Sequence, residues 1–301
     1  MQKVIVIVGP TAVGKTDLSL ELAQCLDAEI INADSMQLYR GMDIGTAKVP
    51  VEERRGIPHH MLDVLEVTKS ANVSDYQRDA RQVVDQIHAG GKRVVVVGGS
   101  GLFIQGLLED MQFPASDPDV RVRLEQEAEQ IGTAAMFDRL QALDPSAAAN
   151  VSPNNLRRVL RALEVIELTG IAPSTTLAQL DEILPSVRIG LRRDRAELDQ
   201  RIEARVEIMW QQGLVDEVRA LEQVGLRNGV TASKALGYAQ VLDFLAGEIT
   251  EAEAKERTVS STRRYVRRQD SWFNRDARIN WLPADELSLF AQVLATIESA
   301  S

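Results

Sequence analysis

GPTAVGKT, residues 9–16, directly follows the apolar run KVIVIV at residues 3–8. The spacing of Gly9, Gly14, Lys15 and Thr16 is that of a P-loop, which connects a first strand to a helix. In such a loop the backbone N–H groups and the positive end of the helix hold phosphate, Lys15 adds a positive charge, and the Thr16 hydroxyl ligates Mg²⁺. The stretch therefore predicts a diphosphate or triphosphate site.

The segments on either side of this loop alternate between strands and helices. We predict a strand over 3–8, a helix from Gly14 to about Leu26, and further strands over 28–32 and 93–97. This alternation is typical of a parallel sheet covered by helices on both faces. The predicted fold class is α/β, with a P-loop NTPase-like parallel-sheet core.

The composition changes at about Pro114, where long charged and alanine-rich stretches begin. We interpret them as a helical insertion into the core, followed by a helical C-terminal region. The predicted division is 1–114 (core, first part), 115–185 (insertion) and 186–301 (core, second part). Beyond the insertion we predict a strand at 186–191, helices around 196–211, 214–224, 234–246 and 250–270, a strand at 278–282 and a terminal helix.

The composition excludes several classes of protein. The 301 residues carry a net charge of -10, which argues against loose, non-specific binding of nucleic acid. A single cysteine, Cys25, excludes an internal disulfide framework and suits a reducing compartment. No apolar stretch approaches the roughly 18 residues of a membrane span. We expect a soluble, cytoplasmic protein with no membrane association and no obligatory protein partner.

A nucleotide hydrolase of this type has an acidic residue at the end of a second apolar strand. Here the strand at 93–97 ends in Gly98-Gly99-Ser100, and the acid is Asp34, just beyond the strand at 28–32. Because parallel strands end at one edge of the sheet, we expect Asp34 to face the phosphates across a cleft. Its role is that of a Mg²⁺ partner or a general base; the structural alternative is a helix N-cap, with Gln37 completing a capping box.

Six motifs occur together, in order, along nearly the whole chain. They are GPTAVGKT at 9–16, DSMQLYRGMDIGTAK at 34–48, PHHMLDV at 58–64, GGSGLF at 98–103, RRVLRALEV at 157–165 and TRRYVRRQDSWF at 262–273. The set resembles the tRNA dimethylallyltransferases, also called tRNA isopentenyltransferases. The resemblance implies transfer of a dimethylallyl group from dimethylallyl diphosphate to N6 of adenine 37, next to the anticodon of tRNA.

The resemblance also implies roles for individual residues. The implied catalytic residues are Asp34, as general base, with Lys15, Thr16, Ser100 and Arg121. The implied diphosphate-binding residues are Gly9, Pro10, Thr11, Ala12, Val13, Gly14, Lys15 and Thr16, with Mg²⁺ as the cofactor held by Thr16. The residues implied to bind the tRNA anticodon stem-loop are Asp34, Ser35, Met36, Gln37, Arg157, Arg158, Val159, Leu160, Arg161, Arg263, Arg264, Arg267 and Arg268.

Some positions depart from the family pattern or admit a simpler reading. Ser100 stands where Thr is usual, Phe103 where Tyr is common, and Ser-Pro-Asn-Asn at 152–155 replaces His-Pro-Asn-Asp. The pair His59-His60 lacks a third metal ligand at a workable spacing, so packing and hydrogen bonding are the expected role. The arginine run at 263–268 is, without the resemblance, a solvated helix face.

Two other functions use the same loop. A small-molecule or nucleoside kinase would bind ATP there, and ATP binding with turnover would identify it. A nucleotide-gated RNA-binding protein would use the loop as a switch, releasing RNA without chemistry.

Overall fold

The computed structural model describes residues 2–113, 116–170 and 180–300. The chain forms two compact units: Met1–Asp110 together with Glu182–Ser301, and Met111–Asp181. Across the described ranges, every helix is too short or too polar to cross a lipid bilayer.

The first unit is built on a six-stranded, all-parallel sheet with the strand order β3-β2-β4-β1-β5-β6. The strands are β1 (Val4–Val8), β2 (Ala28–Asn32), β3 (His59–His60), β4 (Arg93–Val97), β5 (Ser186–Arg192) and β6 (Ile279–Pro283). The predicted α/β class is confirmed, and the strands predicted over 28–32 and 93–97 have those bounds.

Strand β1 lies inside the sheet and is buried throughout. Its Ile7 pairs with Val97 of β4 on one side and with Ile189 of β5 on the other. A buried parallel strand is apolar on both faces, which is why the sequence shows a continuous apolar run and no alternation. The carboxyl ends of β1, β2 and β4 consequently meet at one sheet edge, where ligands bind in open α/β folds.

The helices of this unit cover both faces of the sheet or pack beside it. They are α1 (Lys15–Cys25), α2 (Val73–Ala89), α3 (Gly101–Leu108), α7 (Arg195–Gln211), α8 (Leu214–Gln223), α9 (Tyr238–Leu245), α10 (Glu251–Phe273) and α11 (Leu289–Ser299). Alternate residues of β1 enter different apolar clusters: Val4 and Val6 pack with α2 and α3, and Ile5 and Ile7 pack with α1 and α11. A third cluster, around the fully buried Tyr238, joins α7, α8, α9 and the start of α10.

Helix α2 and strand β3, which lie between β2 and β4, were not predicted from the sequence. Helix α2 begins at the Asn72 cap, whose side chain accepts from the Asp75 N–H at 2.9 Å. Its buried residues Tyr76, Ala80 and Val84 recur every four positions, which is a readable helical signal. Strand β3, with only two residues, gives no such signal.

The predicted helix over 234–246 is partly wrong. Residues Ala232–Lys234 form a short 3₁₀ turn, and α9 begins only at Tyr238. Gly237 has φ 86°, in the left-handed region that breaks a right-handed helix. The helix therefore starts after this glycine.

The second unit, Met111–Asp181, is helical over its described residues apart from loops. It contains α4 (Pro118–Leu143), interrupted at Gly132 where φ is 84°, then α5 (Pro145–Ala149) and α6 (Leu156–Thr169). Its own apolar core includes Leu124, Met136, Leu140 and Leu163. Asn155, in the segment that departs from the family pattern, caps α6 by accepting from the Arg158 N–H at 3.3 Å.

Candidate active site

The glycine loop leaves β1 and enters α1 through two positions that only glycine suits. Gly9 has φ 140° and Gly14 has φ 110°. A side chain at Gly9 would also place its Cβ 2.6 Å from the carbonyl oxygen of Leu191 on β5. The Val13 side chain is fully buried among α1 and the sheet. The loop is therefore shaped by its own backbone and by close packing on β5.

Lys15 lies at the start of α1 and folds back over the loop. Its Nζ donates to the carbonyl oxygens of Gly9 (2.9 Å) and Pro10 (2.7 Å). Desolvation lowers the pKa of Lys15 to about 7, although the nearby negative charge of Asp34 opposes this shift and Arg205 adds to it. An anion bound in the loop would favour the charged ammonium and draw a proton onto Lys15.

Asp34 lies two residues beyond β2, in a turn that side chains hold on both sides. The Asn32 side chain accepts from the Asp34 N–H (3.0 Å) and donates to the Asp34 carbonyl (2.9 Å). The Asp34 carboxylate in turn accepts from the Met36 N–H at 2.9 Å. No helix starts here among these described residues, and Gln37 donates to the carbonyl of Thr46 at 3.0 Å. The capping-box alternative is therefore wrong.

Two cavities meet at Asp34. The loop cavity has a volume of about 440 Å³, within the range of roughly 300–1,000 Å³ of small-molecule sites, and Lys15 and Thr16 line it. The helix cavity has a volume of about 250 Å³, and Met36, Tyr265 and Arg268 line it. Residues that line both cavities are Thr11, Asp34, Thr46 and Arg205. The expected position of Asp34, across a cleft from the glycine loop, is confirmed.

Arg205 on α7 is a site residue that the sequence reasoning missed. Its guanidinium approaches the Thr46 carbonyl at 3.4 Å and faces the charge of Asp34. Desolvation lowers the pKa of Arg205, against the opposing effect of Asp34, but an arginine stays charged at neutral pH. Its neighbours Ile202 and Val206 are buried, so Arg205 lies at the edge of the buried face of α7. The loop cavity is thus lined by three Lys and Arg side chains, Lys15, Arg201 and Arg205, and by the carboxylates of Asp17 and Asp34.

The wall formed by residues 43–46 is positioned by a carboxylate from another helix. Glu217 of α8 accepts from the N–H groups of Asp43 (3.1 Å) and Ile44 (2.8 Å), and more distantly from Gly45 (3.4 Å). The hydroxyl of Tyr238 donates to the same carboxylate. Three backbone donors are thus satisfied by one side chain that lies more than 170 positions away in the sequence.

Lys48 holds the C-terminal end of the same segment in place. Its side chain is 3% exposed, and its Nζ donates to the Tyr39 carbonyl (2.8 Å) and to the carboxylates of Asp43 and Asp63 (2.6 Å each). A buried ammonium with three oxygen partners is satisfied, and removing any of them would leave a buried charge short of a partner. Residues 34–48 therefore form a loop, the Asp34–Lys48 loop, that is fixed at both ends.

Ser100 supports the Asp34 turn from behind. Its hydroxyl oxygen accepts from the Ser35 N–H at 3.1 Å, and its own N–H donates to the Ala33 carbonyl at 3.2 Å. A side chain at Gly98 would place its Cβ 2.2 Å from the same Ala33 carbonyl. The end of β4 thus packs directly against the Asp34 turn. A catalytic role for Ser100 stays a prediction, and its contacts are those of a residue that positions the turn.

The arginines of α10 are not equivalent. Arg264, Arg267 and Arg268 are exposed, and the Arg268 guanidinium lies 5.7 Å from the centre of the Tyr265 ring. Arg263 instead pairs with Glu203 of α7 at 2.5 Å. Helix α7 thus supplies Arg263 with a carboxylate partner that the local sequence does not show.

The arginines of α6, in the second unit, also differ in exposure and in their partners. Arg157 and Arg158 are exposed, and Arg161 pairs with Glu164 at 3.1 Å. Val159 and Leu160 are at most 2% exposed and belong to the core of this unit. Their prediction as tRNA-binding residues is corrected: in a helix, the two residues that follow Arg158 turn toward the opposite face.

Arg121 lies on α4 of the second unit. Its guanidinium pairs with Glu125 at 2.7 Å and lies 3.8 Å from Glu164. Its predicted catalytic role stays a prediction.

His59 and His60 make hydrogen bonds, as expected. His59 Nδ1 bonds to the Ile57 carbonyl at 2.8 Å, and His60 Nε2 bonds to Glu29 at 2.7 Å. Among the residues described, no three His, Cys, Asp or Glu side chains are grouped to hold a metal ion. Phe273, at the end of the arginine-bearing helix, is 3% exposed and belongs to the apolar core.

Comparison with known proteins adds a family match and close relatives. A family model described as IPP transferase matches residues 37–276. The tRNA dimethylallyltransferase of Thermobifida fusca is 59% identical to this chain over 302 aligned positions, which cover 99% of this chain and 95% of that protein. The tRNA dimethylallyltransferase of Salinispora tropica is 53% identical over 298 positions, covering 99% and 93%.

Two solved structures of such transferases also match this chain. The tRNA isopentenylpyrophosphate transferase of Bacillus halodurans matches with a TM-score of 0.74 and 38% identity, covering 100% of this chain and 98% of that one. A eukaryotic dimethylallyltransferase acting on tRNA matches with a TM-score of 0.81 and 29% identity, covering 98% and 77%. Both similarities extend over essentially the whole chain.

Proposed function

Because this chain belongs to the IPP transferase family, and its relatives are tRNA dimethylallyltransferases, we propose that it transfers a dimethylallyl group from dimethylallyl diphosphate to N6 of adenine 37 in tRNA, releasing diphosphate. The C1–O bond of the donor breaks and its electron pair leaves with the diphosphate. A bond from the adenine N6 to C1 forms, and N6 loses a proton.

The observation that carries this proposal is the position of Asp34 on the wall between two cavities. One cavity contains the glycine loop, Lys15 and Arg205, which suit a leaving diphosphate. The other is lined by Met36 and Tyr265 and by Arg268 of the arginine-bearing helix, which suit a flat base attached to RNA. A carboxylate between them is placed to accept the N6 proton as the new bond forms.

The loop cavity supplies positive charge where negative charge develops. Lys15 and Arg205 stabilise the diphosphate as it departs, and the amide groups of the loop add fixed dipoles. This chemistry needs no water held for attack on phosphorus. The absence of an acidic residue at the end of β4 is therefore consistent with a prenyl donor in place of a hydrolysed nucleotide.

The residues around the glycine loop fit a magnesium ion bound together with the diphosphate. Mg²⁺ prefers hard oxygen ligands and usually takes only one or two from the protein, the rest coming from phosphate and water. The Thr16 hydroxyl is exposed at the loop cavity, and the Asp34 carboxylate lines the same space. We propose that Thr16 holds the ion, which when bound would neutralise diphosphate charge.

The helix cavity and the exposed face of α10 suit the tRNA. Adenine N6 is inaccessible while the base is stacked, so the base must leave the anticodon loop to enter a pocket. Met36 offers an adaptable apolar surface, and Tyr265 with Arg268 offers a flat cationic one. Arg264 and Arg267 are placed to contact phosphates beside it.

The experiment is incubation with Mg²⁺, labelled dimethylallyl diphosphate and an anticodon stem-loop that carries adenine at position 37. We expect the label on that RNA, and none on a matched stem-loop whose position 37 is N6,N6-dimethyladenine, because no N6 proton is left to lose. Parallel incubations with labelled ATP separate the alternatives. Transfer of the γ-phosphate to a small molecule, or ATP-dependent release of RNA without any covalent product, would overturn the proposal.

A further inference from the structure

Gln269 is a buried polar residue on α10 that the reaction described above does not use. It is 4% exposed, yet both ends of its amide are bonded to loops at the edge of the sheet. Its Oε1 accepts from the Thr11 N–H of the glycine loop at 3.0 Å. Its Nε2 donates to the Gly99 carbonyl, in the loop after β4, also at 3.0 Å. One side chain thus connects the two loops that flank the diphosphate site.

Two neighbours on the same helix face pack against the loop after β4. Tyr265, one turn before Gln269, directs its hydroxyl toward the Gly99 carbonyl at 3.4 Å. A Cβ at Gly99 would lie 2.2 Å from Gln269 Nε2, and a Cβ at Gly101 would lie 2.1 Å from the Trp272 ring. The helix and this loop are therefore in direct contact, with glycine required at the contact points.

The use of the Thr11 N–H has a consequence for the glycine loop. A phosphate-binding loop works because its N–H groups are held in fixed directions before the anion arrives. Because Thr11 donates to Gln269, its N–H is not available to a phosphate, and the prediction that the whole octamer binds diphosphate needs this refinement. Thr11 instead fixes the start of the loop through its bond to Gln269.

We infer that Gln269 is a positioning residue for diphosphate binding: its amide fixes the glycine loop relative to the loop after β4. The inference rests on the proposed function for the identity of the anion. Gln269 lies on the buried face of the helix whose exposed arginines are assigned to the RNA under the proposed function. It acts on the prenyl donor alone, through the conformation of the loop.

The test is Gln269→Met, which preserves the length of the side chain and removes both hydrogen bonds. It leaves a buried N–H and a buried carbonyl unpaired, so the loop is free to leave its binding conformation. We expect the affinity for inorganic diphosphate, measured by calorimetry on the full chain, to fall roughly tenfold or more. We also expect the KM for the prenyl donor to rise while tRNA affinity and its salt dependence do not change.

A destabilising change elsewhere in the same helix is the matched control. Ala254→Gly lies near the start of α10, in the cluster around Tyr238, and makes no contact with either loop through a side chain. We expect it to lower the melting temperature and to preserve diphosphate affinity. Equal losses of diphosphate affinity in Gln269→Met and Ala254→Gly would overturn the inference, because a general loss of stability would then account for both.

A second measurement uses the unaltered chain and so does not depend on a variant that folds. Hydrogen exchange without any ligand should show the Thr11 N–H protected, since it is bonded in the ligand-free protein. Exchange of this N–H at the rate of an open loop would contradict the inference. If the unaltered chain fails to bind diphosphate, the proposed function is overturned. If the unaltered chain binds diphosphate and Gln269→Met binds it equally well, the inference about Gln269 is overturned and the proposed function stands.

Discussion

The glycine loop and the Asp34–Lys48 loop form opposite walls of the loop cavity, and they are held in different ways. The glycine loop is shaped by its own glycines, at φ 140° and 110°, and by the strand and helix on either side of it. The Asp34–Lys48 loop has no regular structure of its own. Its shape comes from Glu217 and from the buried ammonium of Lys48. The glycine loop thus takes its shape mainly from local backbone, with Gln269 of α10 fixing its start, whereas the Asp34–Lys48 loop depends on Glu217 and Lys48.

This difference separates the two substrates. The glycine loop presents N–H groups and Lys15, which recognise phosphate without regard to the rest of the ligand. The Asp34–Lys48 loop and α10 line the helix cavity, which the proposed function assigns to the acceptor base. Changes on the first wall should therefore act on the diphosphate, and changes on the second wall should act on the RNA.

The largest effect is expected from Lys15→Ala. Lys15 is one of the cations that line the loop cavity, where the leaving diphosphate gains charge in the proposed reaction, and losing one such group costs roughly 10²- to 10³-fold in rate. We expect kcat/KM for the prenyl donor to fall by that factor, with tRNA affinity unchanged in a filter-binding assay. Tenfold weaker tRNA binding by this variant would show that the two walls do not act separately.

The exposed arginines of α10 should give the next largest effect. Replacing Arg264, Arg267 and Arg268 together by Gln should lower the slope of log affinity against log salt by about 1 for each phosphate that an arginine no longer neutralises. Affinity for diphosphate should not change. Arg263→Gln is the matched control on the same helix, because Arg263 is already paired with Glu203 and should leave the slope unaltered. An unchanged slope in the triple variant would return the run to a solvated surface, and a reduced slope in Arg263→Gln would show that Arg263 also contacts a phosphate.

Diphosphate affinity should depend on pH through Lys15. Its pKa in the free protein is lowered to about 7 by desolvation, and a bound anion raises it, so binding takes up a proton. Affinity is then greatest below pH 7 and falls above it, by up to tenfold per pH unit. Calorimetry at pH 8 in buffers of different ionisation enthalpy should show an uptake at Lys15 close to one proton. Lys15→Arg, which stays charged, is the reference that removes this uptake; equal uptake in both proteins would contradict the assignment.

The smallest effect is expected from Glu217→Gln. The neutral amide has one acceptor oxygen in place of two, so part of the set of N–H groups at 43–45 loses its partner. Hydrogen bonds to a charged acceptor contribute about 1.5–3 kcal/mol each in the folded state. Because Glu217 is only partly buried, we expect the free energy of unfolding to fall by about 1 kcal/mol. The KM for tRNA should rise a few-fold, and the KM for the prenyl donor should stay unchanged. A rise in the KM for the prenyl donor alone would contradict the assignment of the Asp34–Lys48 loop to the RNA.

The same difference explains what the sequence could predict. The first strand, the glycine loop and α1 follow from eight consecutive residues and their neighbours, and all three are confirmed. Asp34 was predictable because parallel strands end at one edge. Arg205, Glu217 and Gln269 were not, since each reaches the site from a helix more than 150 positions away and looks locally like an ordinary polar residue.

The incorrect assignments of residues on α6 and α10 have a related cause. Val159 and Leu160 sit between arginines in the sequence, and a motif taken as a block assigns them the same role. The helix turns them into the core of their unit. Arg263 was assigned the same role as the other arginines of its run because its partner Glu203 lies on another helix. Periodicity within the motif would have corrected the first error, and only tertiary structure reveals the second.

The most direct test of the mechanism is single-turnover transfer to an anticodon stem-loop by Asp34→Asn, with binding of each substrate measured separately. Asn keeps the size of Asp and still accepts the Met36 N–H bond that closes the turn, but it is no longer a base. We predict that both substrates remain bound and that transfer slows by roughly 10²- to 10⁴-fold. A single-turnover rate near that of the unaltered protein would contradict Asp34 as the base between the two cavities, and loss of diphosphate binding would make it a Mg²⁺ ligand instead.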